Sequence, residues 1–170
     1  MSFVGDGSHH GHHRTQKEPP LAIEVQPALS PALVVDDAAA AIDFYVKAFD
    51  ATEYGRVPGP DGKLVHAALN INGSMVMLND DFPEMTEGKS MTPTSLGGTP
   101  VTIHLTVTDV EAKFQRAVDA GATVLSPLED AFWGDRYGVL RDPFGHYWSM
   151  GQPMREVSMD EIEEAMKQQQ

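Results

Sequence analysis

The chain has 170 residues, no cysteine, and a formal net charge of −13 from 12 basic and 25 acidic side chains. That length holds one domain or two small repeats sharing a core. Lack of cysteine excludes disulfides, thiolate metal sites and cysteine nucleophiles, and fits a cytoplasmic protein; the acidity repels a phosphate backbone, so no nucleic-acid partner is expected.

Residues 1–26 read as a flexible N-terminal tail, polar and without apolar period. Its His9-His10-Gly11-His12-His13 run is treated as part of that tail rather than as a metal site. The tail does not resemble a signal peptide, and no apolar run approaches the roughly 18–20 residues that cross a bilayer, so no membrane partner is expected. Histidines 66, 104 and 146 remain in the folded part.

Residues 27–80 read as a strand, a helix and three strands. Ala28 to Val35 is strand-like, Asp37 is a good N-cap, and Ile42, Tyr45, Val46 and Phe49 recur at helical spacing over Ala38 to Phe49. Strands follow at Thr52–Val57, Lys63–Ile71 and Ser74–Asn79, with turns at Pro58–Gly62 and Asn72-Gly73. Residues 81–100 are a connecting loop. The order then repeats over 101–152: a strand at Val101–Val107, Asp109 as cap, a helix at Val110–Ala120 stopped by Gly121, and strands at Ala122–Ser126, Arg136–Arg141 and His146–Met150. An offset of 72 residues lays Leu33 on Leu105, Val35 on Val107 and Asp37 on Asp109, which reads as an internal duplication. A C-terminal helix fills 153–170, opened by the Ser158–Glu161 capping box.

Three stretches carry a family resemblance. They are Leu33–Asp37 through Ala41–Tyr45, Phe132-Trp133-Gly134-Asp135-Arg136-Tyr137-Gly138, and Asp142-Pro143-Phe144-Gly145-His146-Tyr147-Trp148. They resemble the glyoxalase / bleomycin-resistance / extradiol dioxygenase (vicinal oxygen chelate) proteins, in the glyoxalase-like subgroup linked by name to phosphonate-operon proteins. The resemblance implies an α+β fold: two βαβββ modules form facing curved sheets around a cavity, with helices outside, commonly as a homodimer. It also implies a choice of chemistries that fold alone does not settle. Asp50 stands where many relatives have glycine.

Strand alternation then divides the side chains. Val65, Ala67, Leu69 and Ile71 are expected to meet the helix, leaving Leu64, His66, Ala68 and Asn70 toward the cavity. Leu29, Leu33 and Val35 go to the helix side and Ser30 inward. Thr102, His104 and Thr106 face inward, as do Tyr147 and Ser149. By the resemblance, metal-dependent relatives place ligands at the positions of Ser30, Ala68, Thr102 and Ser149, none of which suits a divalent metal here. Two histidines are too few without a loop acid such as Asp135. A metal cofactor is therefore disfavoured.

Candidate catalytic residues are His66 and His104, either able to serve as a general base or simply to hydrogen-bond within the strands. Candidate ligand-binding residues are Ser30, Asn70, Thr102, Thr106, Trp133, Arg136, Tyr147 and Ser149. Arg136 reads two ways, as a grip on a ligand anion or as a pin for its loop. Three functions stay open: a protein binding a small organic molecule in a metal-free cavity, an enzyme of the same fold (lyase, isomerase or dioxygenase), or an interaction module with a filled cavity.

Overall fold

The computed structural model describes residues 27–169, so the tail and its histidine run lie outside the described residues. Strand β1 (Ala32–Val35), helix α1 (Ala38–Phe49) and strands β2 (Thr52–Pro58), β3 (Leu64–Ile71) and β4 (Ser74–Asp80) build one sheet in the order β1-β4-β3-β2. β1 is parallel to β4 and the other pairs are antiparallel. After a 3₁₀ turn (Pro83–Met85) and a short helix α2 (Pro93–Leu96) come β5 (Thr102–Thr106), α3 (Val110–Ala120), β6 (Thr123–Asp130), β7 (Asp135–Arg141) and β8 (Tyr147–Pro153). They form a second sheet, β5-β8-β7-β6, with the same pattern of directions. The chain ends in α4 (Met159–Lys167).

Helix starts show how the two modules repeat. Asp37 caps α1, its carboxylate accepting from Ala40 N at 3.0 Å. Asp109 does not cap α3 as expected: its backbone lies in the left-handed region (φ 52°) and its side chain takes no cap hydrogen bond. Val110 N instead donates to Gln152 Oε1 at 3.0 Å. The first module makes the matching bond, Ala38 N to Asp80 Oδ1 at 2.8 Å, and both its partners sit 72 residues before their counterparts. A second pair of contacts joins the modules to each other. Asn72 donates to Thr106 O, and His146 Nε2 lies on Val34 O, both at 2.9 Å. A carbonyl only accepts, so the His146 proton is on Nε2. Thr106 and Val34 are again 72 apart, so the strand-joining turn of each module grips the first strand of the other.

The helix-facing sides carry the core. Tyr45 stacks on Phe49, and both meet Trp148, with ring centroids 4.6–5.9 Å apart. Beneath them lies the buried carboxylate of Asp142. It accepts from Tyr45 Oη (2.5 Å), Trp148 Nε1 (2.9 Å), Phe144 N (2.9 Å) and His146 N (3.0 Å), so one charged group ties the turn before β8 to α1 of the other module. Arg116 on α3 donates to Lys47 O and Val46 O. It thereby satisfies carbonyls left open at the end of α1. That helix ends on Asp50 in the left-handed region (φ 55°), at a cost of about 1 kcal/mol relative to glycine.

Several expectations shift at strand ends. Leu29 precedes β1 and is 90% exposed, not packed on the helix. Leu64 is buried and Val65 is 50% exposed, the reverse of the expected phase, because the β2–β3 pairing slips between Val57 and Pro58. β6 runs on past Pro127 to Asp130, which an edge strand with register shifts tolerates. The connecting segment contains α2, with Thr92 accepting from Ser95 N and Pro93 opening the turn. Ser158 caps α4 as expected, but none of that helix's residues is buried.

Candidate functional site

Register across the second sheet sorts its side chains. Thr102, Tyr147 and Arg141 form one cross-strand row, His104, Ser149 and Val139 the next, and Thr106, Gly151 and Tyr137 a third. The rows between them, Ile103–Trp148–Leu140 and Leu105–Met150–Gly138, turn toward the helices. In the first sheet the same open side carries Ala32, Met77 and Ala68 in one row, Met75 and Asn70 in another, and His66 beside Val57.

The free edges of β1 and β5 bound a cavity of about 580 Å³. Its wall is mainly apolar, including Ala32, Met75, Val101 and Leu105, with Ser30, Thr102, His104 and His146 among its few polar groups. This is the size and lining of a small-molecule pocket. His104 is its best-anchored polar residue. Nδ1 lies 2.8 Å from Ser149 Oγ, the ring stacks on Tyr137 at 5.9 Å, and Tyr137 takes the edge of Trp133 at 5.3 Å. Gly151 lies below: a Cβ there would come within 3.0 Å of His104 Cε1 and 3.2 Å of Asp135 Oδ2. The imidazole and the Asp135 carboxylate therefore both overhang one glycine.

The remaining candidates disperse. His66 and His104 both lie on the open side and both are exposed, but His66 does not line the cavity with His104. Asn70 donates to Tyr54 Oη at 2.9 Å and accepts from Gly73 N, and it borders a separate hollow of about 280 Å³. Thr106 is exposed at the far end of β5. Trp133 is 39% exposed. Ser149 is buried under its bond to His104. Tyr147 lines a different pocket, beside Arg141.

Arg136 does not reach the open side. It shares a row with Gln152 and Asp130 and lies 3.2 Å from Asp130 and 2.6 Å from Glu111 on α3. The Nε–H is not aimed at the Glu111 oxygen, so that contact is an ion pair rather than a linear hydrogen bond. The Asp130 bond, with Glu111 adding to it, raises the guanidinium pKa further. The geometry matches the loop-pinning alternative for this residue. Strand parity held the signal: Arg136, Gly138 and the buried Leu140 alternate together. Alternation puts His146 with Trp148 and Met150 on the face away from the cavity, but β8 starts only at Tyr147; His146 lies in the turn before it, where it bridges the modules and lines the cavity.

Where the resemblance puts metal ligands stand Ser30, Ala68, Thr102 and Ser149. Among the described residues no three histidine, aspartate or glutamate side chains are grouped to hold a metal ion. No helix among them is long and apolar enough to cross a membrane.

Comparison with known proteins agrees with this architecture. A 74% identical relative over 159 residues, an uncharacterized protein of Mycobacterium tuberculosis strain H37Rv, covers 94% of both chains. TioX from Micromonospora sp. ML1 is 31% identical, with a TM-score of 0.58 over 74% of this chain and 98% of its own. A crystallised Arabidopsis thaliana gene product is 30% identical, with a TM-score of 0.60 over 75% of this chain and 99% of its own. Residues 28–150 match the model of the Glyoxalase/Bleomycin resistance protein/Dioxygenase superfamily, and the chain belongs to that family.

Proposed function

We propose that this protein binds a small organic molecule in the cavity between β1 and β5, without a resident metal, and works as a homodimer in the cytoplasm. The observation that carries the reading is the cavity itself: about 580 Å³, mainly apolar, with His104 held by Ser149 and Tyr137 at its wall. A mainly apolar cleft with a few fixed polar groups orients a ligand. The donor set does not fit a divalent metal, because the four corresponding positions offer two serines, a threonine and an alanine. Support for the dimer comes from the open sides of the sheets, where Tyr54, Val57 and Trp133 leave large apolar surface uncovered. The lack of cysteine suits a reducing compartment.

A second reading keeps the same cavity and makes His104 a general base. It is favoured by the Ser149 bond, which fixes the ring and leaves Nε2 over Gly151. The test is a metal assay of a chain starting at residue 27, which removes the tail histidines, followed by a thermal-shift screen of small organic molecules. We expect no near-stoichiometric metal and ligands whose stabilisation is lost in His104→Ala. Near-stoichiometric metal would overturn the metal-free reading and point to His66, His104 and Asp135; ligands insensitive to His104→Ala would overturn the site.

A further inference from the structure

Arginines in this acidic chain are paired, with one exception among the described residues. Arg56, Arg116, Arg136 and Arg155 each have a carboxylate oxygen at 2.6–3.6 Å. Arg141 has none among the described residues. Its neighbour Asp142 cannot serve, because both its oxygens are taken: Oδ1 by two backbone N–H groups, and Oδ2 by Tyr45 and Trp148. Arg141 is exposed, and with no carboxylate on it among the described residues its charge is open to a solute.

Its surroundings are shaped for that. Arg141 lines a pocket of about 330 Å³ between the segment 93–98 and the turn 141–145. The two walls are pressed together at Gly145 (φ 92°), where a Cβ would stand 2.9 Å from Pro93 Cβ, so only glycine lets the segment seat. Tyr147, beside Arg141 in the same row, and Thr94 also line the pocket. Neither hydroxyl has a hydrogen-bond partner among the described residues. Asp142 is the one acidic side chain in the wall, and it is already satisfied. A guanidinium fork with two free hydroxyls is a donor set, and what it lacks is an acceptor with several oxygens.

We propose that this pocket is an anion subsite that takes the carboxylate or phosphate group of a small molecule, through Arg141, Tyr147 and Thr94. It stands independently of the β1–β5 cavity.

The test is an amide NMR titration of the full chain with acetate and, separately, inorganic phosphate, at constant ionic strength. Saturable shifts are expected at Thr94, Gly98 and Tyr147. Arg141→Gln should weaken them roughly tenfold, as loss of a charge-assisted bond does, and Tyr147→Phe by about threefold. Saturation with acetate alone assigns a carboxylate ligand, and with phosphate alone a phosphate ester; saturation with both supports the shared chemistry. Absence of saturable shifts at these amides, or shifts unchanged in both variants, overturns the proposal. The two variants are read separately, so a folding defect in one leaves the other decisive.

Discussion

The two modules are alike on the side that faces the helices and unlike on the side that faces away. Toward the helices they repeat specific bonds at one offset: Ala38 with Asp80, then Val110 with Gln152. On the open side the first module offers Ala32, Ala68, Met75 and Met77 with two polar groups, His66 and Asn70, and the second offers Thr102, His104, Tyr147, Ser149 and Arg141 with one apolar group, Val139. Packing constrains both copies equally, since a sheet must bury one face in either. The open side has no such constraint, and there the second module is the more polar one. The chemistry argued above therefore lies mostly on one sheet.

The comparison breaks most sharply at Asp142. In the first module the turn between β3 and β4 is held by Asn70, whose side chain accepts one N–H from Gly73 at 3.0 Å, whereas Asp142, in the turn between β7 and β8, is buried and accepts four donors. Asp142→Ala strands those donors and should cost about 3–5 kcal/mol, while Asn70→Ala should cost about 1 kcal/mol. Denaturant unfolding measures both, and equal losses would show that the modules are not joined through this carboxylate. Burial, and then the Asp142 charge, raise the Tyr45 hydroxyl pKa well above its ordinary value. The neutral phenol is therefore favoured by folding. The stability this gives is full below the ordinary phenol pKa and is lost as pH rises through the raised folded value. Tyr45→Phe should remove a late component from the alkaline absorbance titration at 295 nm.

A smaller difference separates Asp80 from Gln152. Asp80 takes Ala38 N on one oxygen and Leu64 N on the other, at 2.8 and 2.6 Å; Gln152 takes Val110 N alone at 3.0 Å. Asp80→Ala should cost about 2–3 kcal/mol and Gln152→Ala about 1 kcal/mol. The gap in melting temperature between the two variants measures how far the carboxylate has outgrown its counterpart.

Much of this frame is legible in the sequence because its signals are local. Periodicity, the Asp37 cap and the Asn72-Gly73 turn are all written within a few residues of where they act, and the 72-residue offset shows the same local signals twice. The failures are non-local. Asp109 resembles a cap, but the bond comes from Gln152, 42 residues from Val110. The phase of Leu64 and Val65 depends on a slip in the partner strand. For the site, alternation placed His66 and His104 on the open side, but not their separation, which depends on how the two sheets meet. Arg141 shows no signal in the sequence, because an unpaired arginine is defined only by where every carboxylate goes.

The smallest effect on stability should come from the two histidines, and there the comparison turns from folding to function. His66 is exposed and borders no described part of the cavity, so His66→Ala should change stability by no more than about 0.5 kcal/mol. His104→Ala gives up a hydrogen bond to Ser149 and a stacked tyrosine, about 1 kcal/mol. In unfolding experiments the two variants should look almost alike. In binding they should not: a ligand of the β1–β5 cavity should lose affinity about tenfold with His104→Ala and hold it with His66→Ala, since only one ring meets the ligand and one bond to it is worth roughly that factor. Equal losses in both would mean that a second copy of the chain, or a rearrangement on binding, brings His66 into the same cavity, and that the first module's open side is not the inert one.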